Sequence, residues 1–219
     1  MKRIIIICEG ITEQEFCKKS LSAYFNAKQI DIQYPLIKKS NGGIVKWNGL
    51  KKQIENHLKQ DRTAYVTTLI DYYGIYQRYN FPRWEESLAI VDKDERMNFL
   101  EQEMYNDIDT QLNNRFIPYI QLHEFEGLLF NNISIFRQQF TEAELIGLKE
   151  LEETISDFPN PEMINDNPNT APSKRLGRII KGYNKIVYGN ILAETIGLQN
   201  IRNKSPRFNA WINKIENVK

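Results

Sequence analysis

The sequence is poor in the residues that build disulfides and zinc sites. Only two cysteines and two histidines occur among 219 residues, and their spacing does not match a zinc ligand set. Cys8 and Cys17 lie in apolar stretches rather than in the pattern of a disulfide-rich secreted domain. We therefore expect a reduced, cytoplasmic protein without a zinc site.

Long apolar runs and glycine-rich nucleotide-binding loops are also missing. No stretch approaches the roughly 18 apolar residues that span a bilayer. The first apolar run ends at Glu9, which makes it too short for the hydrophobic region of a signal peptide. Neither GxxxxGK[ST] nor GxGxxG occurs, so P-loop hydrolases and Rossmann enzymes lack their motif. The sequence thus predicts no association with a membrane.

The net charge is only +1, but the charges are unevenly distributed. Residues 1–84 carry 14 Lys and Arg against 7 Asp and Glu, residues 85–173 carry 5 against 19, and residues 174–219 carry 10 against 2. The basic last segment could bind nucleic acid, or it could pair with the acidic middle. We favour internal pairing, and we rank binding of nucleic acid through this segment alone last because no known binding module is visible.

Strands and helices alternate along the first part of the chain. Continuous β-branched runs predict buried strands at 3–8 and 64–71, with further strands at 32–38 and 115–122. Pro35 suggests that the second strand lies at an edge or carries a bulge. Apolar periodicity predicts helices at 12–27, 47–59 and 93–112, a loop at 40–43, and mostly helix after residue 122.

This order predicts an α/β fold with a mostly parallel four-stranded sheet flanked by helices. We expect residues 1–131 to form that domain, with a helical insertion at about 75–113. Residues 132–219 are expected to form a helical C-terminal extension packed on it.

Acidic residues follow three of the predicted strands. Glu9 follows the first strand, Asp71 the third, and Glu124 and Glu126 the fourth. Sites in parallel sheets gather at the carboxyl ends of the strands, and converging carboxylates favour a divalent cation such as Mg²⁺ or Mn²⁺. The sequence therefore predicts a Mg²⁺ or Mn²⁺ site that includes Glu9, Asp71 and Glu126.

The first helix divides its acidic residues between two faces. Thr12 and Glu15 match a T-x-x-E capping box. Glu13 falls on the apolar arc with Phe16 at 100° per residue, which predicts that it points inward near Glu9. Glu13 is either a further metal ligand or simply a negative charge at the helix N-terminus.

The stretch QLHEFEGLLF, taken as helical from Leu122, separates Glu126 from its neighbours. Glu126 lies inside the apolar arc, Glu124 lies outside it and His123 lies at its edge. A carboxylate on an apolar face costs several kcal/mol unless a cation or a hydrogen-bond donor meets it. We therefore prefer Glu126 as the metal ligand and keep His123 and Glu124 as possible site residues.

A second candidate site lies at a predicted helix start. Ser173, Lys174 and Arg175 follow Pro172, and free N–H groups beside basic side chains can hold a phosphate. The alternative is an ordinary basic helix start without a ligand.

Five stretches spread over nearly the whole chain resemble a bacterial family of Toprim-like proteins. They are CEGITEQEF, YVTTLIDYYG, FIPYIQLHEFEGLLF, INDNPNTAPSKR and GYNKIVYG. The Toprim domain occurs in topoisomerases, primases and overcoming-lysogenization-defect type nucleases. The resemblance implies a Toprim-like fold, phosphodiester chemistry on nucleic acid, and an ABC-type ATPase partner in phage-defence gene clusters.

The resemblance also implies roles for particular residues. The glutamate after the first strand, here Glu9, acts as a general acid/base or a metal ligand, and an Asp-x-Asp after the third strand binds Mg²⁺. Asp71 matches the first aspartate, but Tyr73 stands at the second, so Glu126 would have to supply the missing ligand.

Two functions follow as expectations. The first is a Mg²⁺- or Mn²⁺-dependent phosphodiesterase, specifically a nuclease, in which Glu9 and Asp71 are catalytic and Lys174 steadies the phosphate. The second is a non-catalytic, Toprim-derived regulatory or binding subunit of an ATPase complex, which the substitution at Tyr73 favours.

Overall fold

A computed structural model describes residues 1–40, 43–165 and 167–218. Asn41 and Gly42, in the predicted loop at 40–43, lie outside the described residues. The strands are β1 (Lys2–Cys8), β2 (Ile30–Gln33), β3 (Ala64–Asp71), β4 (Phe116–Ile117) and β5 (Ile120–Gln121).

Helices make up most of the rest of the described chain. The α-helices are α1 (Ile11–Phe16), α2 (Ser22–Ala27), α3 (Trp47–Gln60), α4 (Trp84–Ser87), α5 (Lys93–Asp107), α6 (Ile133–Gln139), α7 (Leu148–Asp157), α8 (Pro172–Ile179), α9 (Val187–Ile196), α10 (Leu198–Lys204) and α11 (Pro206–Glu216). A π-helical segment, Cys17–Leu21, joins α1 to α2, and 3₁₀ turns occur at Tyr72–Gly74, Gln77–Tyr79, Asn113–Arg115, Phe125–Leu129 and Pro161–Met163.

The strands form one parallel sheet in the order β2-β1-β3-β4, and β5 continues the pairing along β3 beyond β4. The predicted α/β class with a parallel sheet is confirmed. The first and third predicted strands agree with β1 and β3 within one residue. Their β-branched runs are buried on both faces, as expected for the centre of a parallel sheet.

The two outer predicted strands are shorter than expected, and proline explains one of them. The strand predicted at 115–122 breaks into β4 and β5 because Pro118 has no N–H to donate to the ladder. The Thr68 hydroxyl group fills the gap, since it accepts from the Tyr119 N–H at 3.1 Å and donates to the Tyr119 carbonyl at 2.8 Å. β2 begins and ends earlier than the predicted 32–38 and lies at the sheet edge, as Pro35 suggested.

Alternate residues of β1 point into two apolar cores on opposite faces of the sheet. Ile4 and Ile6 pack with helices α1, α2 and α6–α11, whereas Ile5 and Ile7 pack with α3 and α5. The sheet is therefore the middle layer between two helical layers. The helices after residue 131 share the first core with β1, and the predicted boundary after residue 131 stays a prediction.

The last helix is fixed on the sheet by a buried tryptophan. The Trp211 Nε1–H donates to Thr67 Oγ1 on β3 at 2.8 Å, and its ring stacks on Tyr119 with centroids 4.6 Å apart. At the other end of the sheet the Lys2 ammonium group donates to the Val218 carbonyl group. These contacts place α11 directly over the central strands.

The basic last segment pairs with the acidic middle, as we expected. Arg207 of α11 binds the buried Glu101 of α5 at 2.6 Å, and Arg178 of α8 pairs with Glu150 of α7 at 2.5 Å. Much of the positive charge after residue 174 is thus used internally. Within the described ranges, none of the helices is both long enough and apolar enough to cross a membrane.

Candidate active site at the carboxyl end of the sheet

Glu9 and Asp71 meet at the carboxyl ends of two neighbouring strands. β1 and β3 pair in parallel from Arg3 and Ala64 to Cys8 and Leu69, so both chains leave the sheet at the same edge. The Asp71 backbone N–H donates to Glu9 Oε2 at 2.9 Å. The predicted proximity of the two acidic residues is confirmed.

Glu13 joins this group by capping the first helix. The helix begins at Ile11 with Gly10 as its N-cap, and the Gly10 N–H donates to Glu13 Oε2 at 2.8 Å. Glu13 is buried, as its position on the apolar arc predicted. The capping box predicted for Thr12 and Glu15 is wrong, because the helix starts earlier and Glu13 is the acidic residue that reaches back.

Asp71 is also linked to the segment that follows β5. Its Oδ1 accepts from the Phe125 N–H at 3.0 Å. That segment is a 3₁₀ turn at Phe125–Leu129 rather than a helix from Leu122, so the predicted helix is wrong in its start and its type. The tighter turn still buries Glu126, as predicted, and leaves it 1% exposed.

Glu126 is the least satisfied of these side chains. Its Oε1 is buried and has no hydrogen-bond partner, although the Lys185 Nζ lies 3.7 Å away. Burial raises its pKa to about 7, and the nearby charges of Glu124 and Glu13 add to that rise, while Lys185 opposes it. Glu126 is therefore poised to change its charge near neutral pH.

Lys185 is the residue that sequence reasoning missed. It lies in the exposed turn before α9, far along the chain from the strand ends. Burial works against its charged form, but Glu126 and the other nearby carboxylates outweigh that effect and raise its pKa. The available signals were the basic excess after residue 174 and the stretch GYNKIVYG, which carries Lys185.

Tyr183 in the same stretch also faces these acids. Its hydroxyl oxygen is buried and has no hydrogen-bond partner. Burial, followed by the charges of Glu126 and Glu124, raises the Tyr183 pKa well above its usual value. The phenol is thus a neutral hydrogen-bond donor at any physiological pH.

The acidic residues form one electrostatic unit, which we call the carboxylate cluster: Glu9, Glu13, Asp71, Glu124 and Glu126. Burial first and mutual repulsion second raise the pKa of Asp71 well above its usual value. The same two causes raise the pKa values of Glu9 and Glu13, against backbone hydrogen bonds that lower them. Like charges held this close favour either a bound proton or a bound cation.

The start of α8 meets this cluster in an unexpected way. The Ser173 N–H and hydroxyl group donate to the two oxygens of Glu124 at 2.8 and 3.0 Å. The helix start predicted to hold phosphate therefore holds a carboxylate of the same chain. Lys174, the next residue, is exposed and forms no ion pair with a described acidic residue.

Arg175 is engaged away from the cluster. Its guanidinium group donates to the Thr170 carbonyl at 2.8 Å and to the Thr154 hydroxyl group at 3.1 Å, and it lies over the Phe158 ring. These contacts join α8 to α7. The structure thus brings Ser173 to the carboxylate cluster and places the Arg175 side chain elsewhere.

His123 lies near Lys93 and Arg96, whereas Glu124 binds Ser173. It has a positive φ of 67° and is buried. Burial, with the positive charges of Lys93 and Arg96, lowers its pKa to about 3. A neutral imidazole in that environment is a poor general base at neutral pH.

The chemistry of the cluster suits a hard divalent cation. All of its potential ligands are carboxylate oxygens, which Mg²⁺ and Mn²⁺ prefer, and Glu126 Oε1 has no competing hydrogen bond. In the conformation described for residues 1–40, 43–165 and 167–218, no group of three or more His, Cys, Asp or Glu side chains could hold a metal ion. Three of these side chains would therefore have to move closer together to bind one cation, whereas one or two carboxylates with water can hold Mg²⁺.

Comparison with known proteins gives a family. No curated protein and no solved structure matches the chain significantly. Residues 8–216 match the family described as a domain of unknown function, DUF4276. That match begins just before Glu9, ends at the last residue of α11 and includes every residue of the carboxylate cluster. The chain therefore belongs to the DUF4276 family.

Proposed function

We propose that this protein is a Mg²⁺- or Mn²⁺-dependent phosphodiesterase, specifically a nuclease. The observation that carries the proposal is the carboxylate cluster itself. Its acidic side chains converge at the carboxyl end of a parallel sheet, and Glu126 carries a buried oxygen without a hydrogen-bond partner. Such crowding is costly unless a cation or a proton relieves it.

Glu9, Asp71 and Glu126 are the residues that would hold the cation, with Glu13 as a further ligand. When bound, Mg²⁺ or Mn²⁺ supplies Lewis-acid polarisation of a phosphate oxygen. Because the pKa of Glu126 is near 7 without a cation, metal binding at this residue would displace a proton near neutral pH.

The basic and phenolic groups around the cluster would orient the substrate. Lys185 faces the carboxylates from the turn before α9, and Tyr183 presents a free hydroxyl group. Lys174 is exposed beside Ser173, where it can reach an incoming phosphate. We assign the phosphate contact to Lys174 and Lys185, because Arg175 is held by α7.

A Toprim-like assignment supports the same chemistry. Glu9 and Asp71 occupy the ends of adjacent parallel strands, as the resemblance implies for the Toprim glutamate and first aspartate. Tyr73 stands in the place of the second aspartate, and Glu126 lies in the turn bonded to Asp71 through Phe125. Action on nucleic acid, and a role in phage defence with an ABC-type ATPase, rest on this resemblance.

The test is a nuclease assay with matched variants. Plasmid, single-stranded DNA and RNA are incubated with the protein in Mn²⁺. We expect Glu9→Gln and Asp71→Asn each to slow cleavage at least about a hundredfold. Glu15→Gln is the control, because Glu15 lies on the same helix but pairs with Lys18 at the surface. Cleavage that survives both cluster substitutions would overturn the proposal.

The second candidate is a non-catalytic regulatory subunit of an ATPase complex. Two observations favour it: Tyr73 replaces the second aspartate, and Glu124 already fills the helix start that could hold a phosphate. It predicts no cleavage by this chain alone and a co-purifying ATPase. Calorimetric titration with Mn²⁺ distinguishes the two candidate functions. Mn²⁺ binding that is lost in Glu126→Gln supports the nuclease, and absence of Mn²⁺ binding supports the regulatory subunit.

A further inference from the structure

A cavity of about 400 Å³ opens beside the carboxylate cluster. Its walls are mainly aromatic and amide side chains: Tyr72, Tyr73, Tyr76, Trp84, His123 and Asn165. None of these residues belongs to the cluster, and the proposed phosphodiester chemistry uses none of them. We call this cavity the aromatic pocket.

The aromatic pocket and the carboxylate cluster share a wall. Tyr72 and Tyr73 directly follow Asp71, and His123 directly precedes Glu124. The Tyr73 N–H donates to the His123 carbonyl group at 3.0 Å, which ties the two strand ends together. A molecule spanning this wall would reach both the pocket and the acidic residues.

Two buried polar atoms in the pocket lack partners. His123 and Asn165 are each 7% exposed, and neither His123 Nε2 nor Asn165 Oδ1 has a hydrogen-bond partner. Buried polar atoms are nearly always paired, and an unpaired one costs about 1–3 kcal/mol. Both residues line the aromatic pocket, and a polar ligand there would satisfy these atoms once the two side chains turn toward it.

The aromatic walls are fixed in place before any ligand arrives. The Tyr72 and Trp84 rings pack 5.5 Å apart at 37°, and the Arg96 guanidinium group donates to the Tyr72 hydroxyl group at 3.1 Å. Tyr76 is 50% exposed at the pocket mouth. Flat aromatic faces of this kind stack on planar heteroaromatic rings.

The polar side chains of the pocket suit the edge of a heteroaromatic ring. The Lys93 ammonium group lines the pocket and keeps its positive charge while it donates to the Asn165 carbonyl group at 3.3 Å. The unpaired Asn165 Oδ1 can only accept hydrogen bonds, so it suits an amino group. An uncharged imidazole at His123 can act as donor or acceptor. Nucleobases present such donors and acceptors on the edge of a flat ring.

We infer that the aromatic pocket binds a nucleobase. This base belongs to the nucleotide next to the phosphodiester that lies at the carboxylate cluster. The position of that nucleotide rests on the proposed function, whereas binding of the base itself does not. Tyr76 stacks on the base, and Asn165 and His123 turn their unpaired atoms toward its edge. The aromatic pocket would thus hold one base next to the reacting phosphate.

The experiment measures binding of adenosine and cytidine without metal, by saturation-transfer NMR and by quenching of tryptophan fluorescence. Both nucleosides should bind, and free ribose should not. Tyr76→Ala should weaken binding about tenfold, the scale of losing one base–aromatic stack, and Asn165→Ala should weaken it similarly. Tyr105→Ala is the matched control, because Tyr105 lines a different cavity on α5. Thermal melts confirm that the variants fold.

The outcomes separate this inference from the proposed function. Nucleoside binding by a parent protein that cleaves no nucleic acid in Mn²⁺ would uphold the pocket and refute the nuclease. Metal-dependent cleavage without nucleoside binding would refute the pocket alone. Adenosine binding that inorganic phosphate displaces, or that Tyr76→Ala and Asn165→Ala leave unchanged, would also overturn the inference.

Discussion

Replacing Glu126 by glutamine should make the protein more stable at alkaline pH. The side chain is 1% exposed and one of its oxygens has no hydrogen-bond partner. Glutamine keeps the shape of the side chain and removes the charge that the surrounding acidic residues oppose. A substitution in the site is thus expected to stabilise the fold, as is common where a site is built against stability.

The magnitude follows from the pKa of Glu126, which is about 7 in the folded chain against 4.5 for an ordinary glutamate. The folded state therefore holds its proton over a range where the unfolded state has lost it, and the free energy of unfolding falls as pH rises from 4.5 to 7. The full loss is about 3 kcal/mol. Glu126→Gln should raise the free energy of unfolding by most of this amount at about pH 8, and by less than about 1 kcal/mol at about pH 5.

Glu162 offers a matched control. It is also 1% exposed, and its pKa is also raised to about 7, first by burial. Its two oxygens, however, accept the N–H groups of Arg207 and Phe208 at 2.9 and 3.0 Å, at the start of α11. Glu162→Gln turns an amide N–H₂ toward one of those donors, so it should stabilise far less than Glu126→Gln or should destabilise.

Urea unfolding of the three proteins at about pH 5 and about pH 8 measures these differences. A Glu126→Gln variant that is less stable than the parent at both pH values would refute the view that crowded carboxylates destabilise this site. Mn²⁺ adds a second readout: it should raise the melting temperature of the parent and of Glu162→Gln at about pH 8, and not that of Glu126→Gln.

Four further substitutions test other contacts. Lys185→Met removes the cation that faces the carboxylates, so the urea midpoint should fall more at about pH 8 than at about pH 5; an equal fall at both would argue against that role. Gly74→Ala places a methyl group 3.2 Å from Glu9 Oε1. It should lower the Mn²⁺ affinity measured by calorimetry with little change in melting temperature, and an unchanged affinity would contradict the close approach of Gly74 to Glu9. Arg175→Ala should lower the free energy of unfolding in urea by about 1–3 kcal/mol, because it breaks two partly buried hydrogen bonds. Lys174→Ala, at an exposed side chain, should change it by less than about 0.5 kcal/mol, and equal losses would show that the two side chains do not differ as described.

The sequence predicted the part of the site that depends on strand order. β1 and β3 are continuous β-branched runs, and residues that follow adjacent parallel strands must meet at one edge. Glu9 and Asp71 could therefore be paired without a structure. Glu126 is predicted to lie in the interior because it falls on the apolar arc of a helix from Leu122, and it is buried although a 3₁₀ turn forms instead.

Other parts of the site depend on contacts that sequence patterns do not encode. The T-x-x-E pattern predicts a capping box at Thr12 and Glu15, but the helix begins with Gly10 as its N-cap and Glu13 accepts the Gly10 N–H. Lys185 reaches Glu126 only through the packing of α9 against the first helix and the turn at Phe125–Leu129. Local periodicity carries no information about such a long-range contact.

The packing of α11 on β3 has a consequence for how the chain folds. The Trp211–Thr67 bond closes 144 residues, and the Lys2–Val218 bond closes 216. Contacts this distant in sequence slow folding, because loop entropy is lost before the contacts can form. Helices α1, α2 and α6–α10 cover part of this face of the sheet, but the part under α11 stays exposed in a nascent chain until Pro206–Glu216 has been synthesised. Chaperone dependence during translation is the expected cost of this topology.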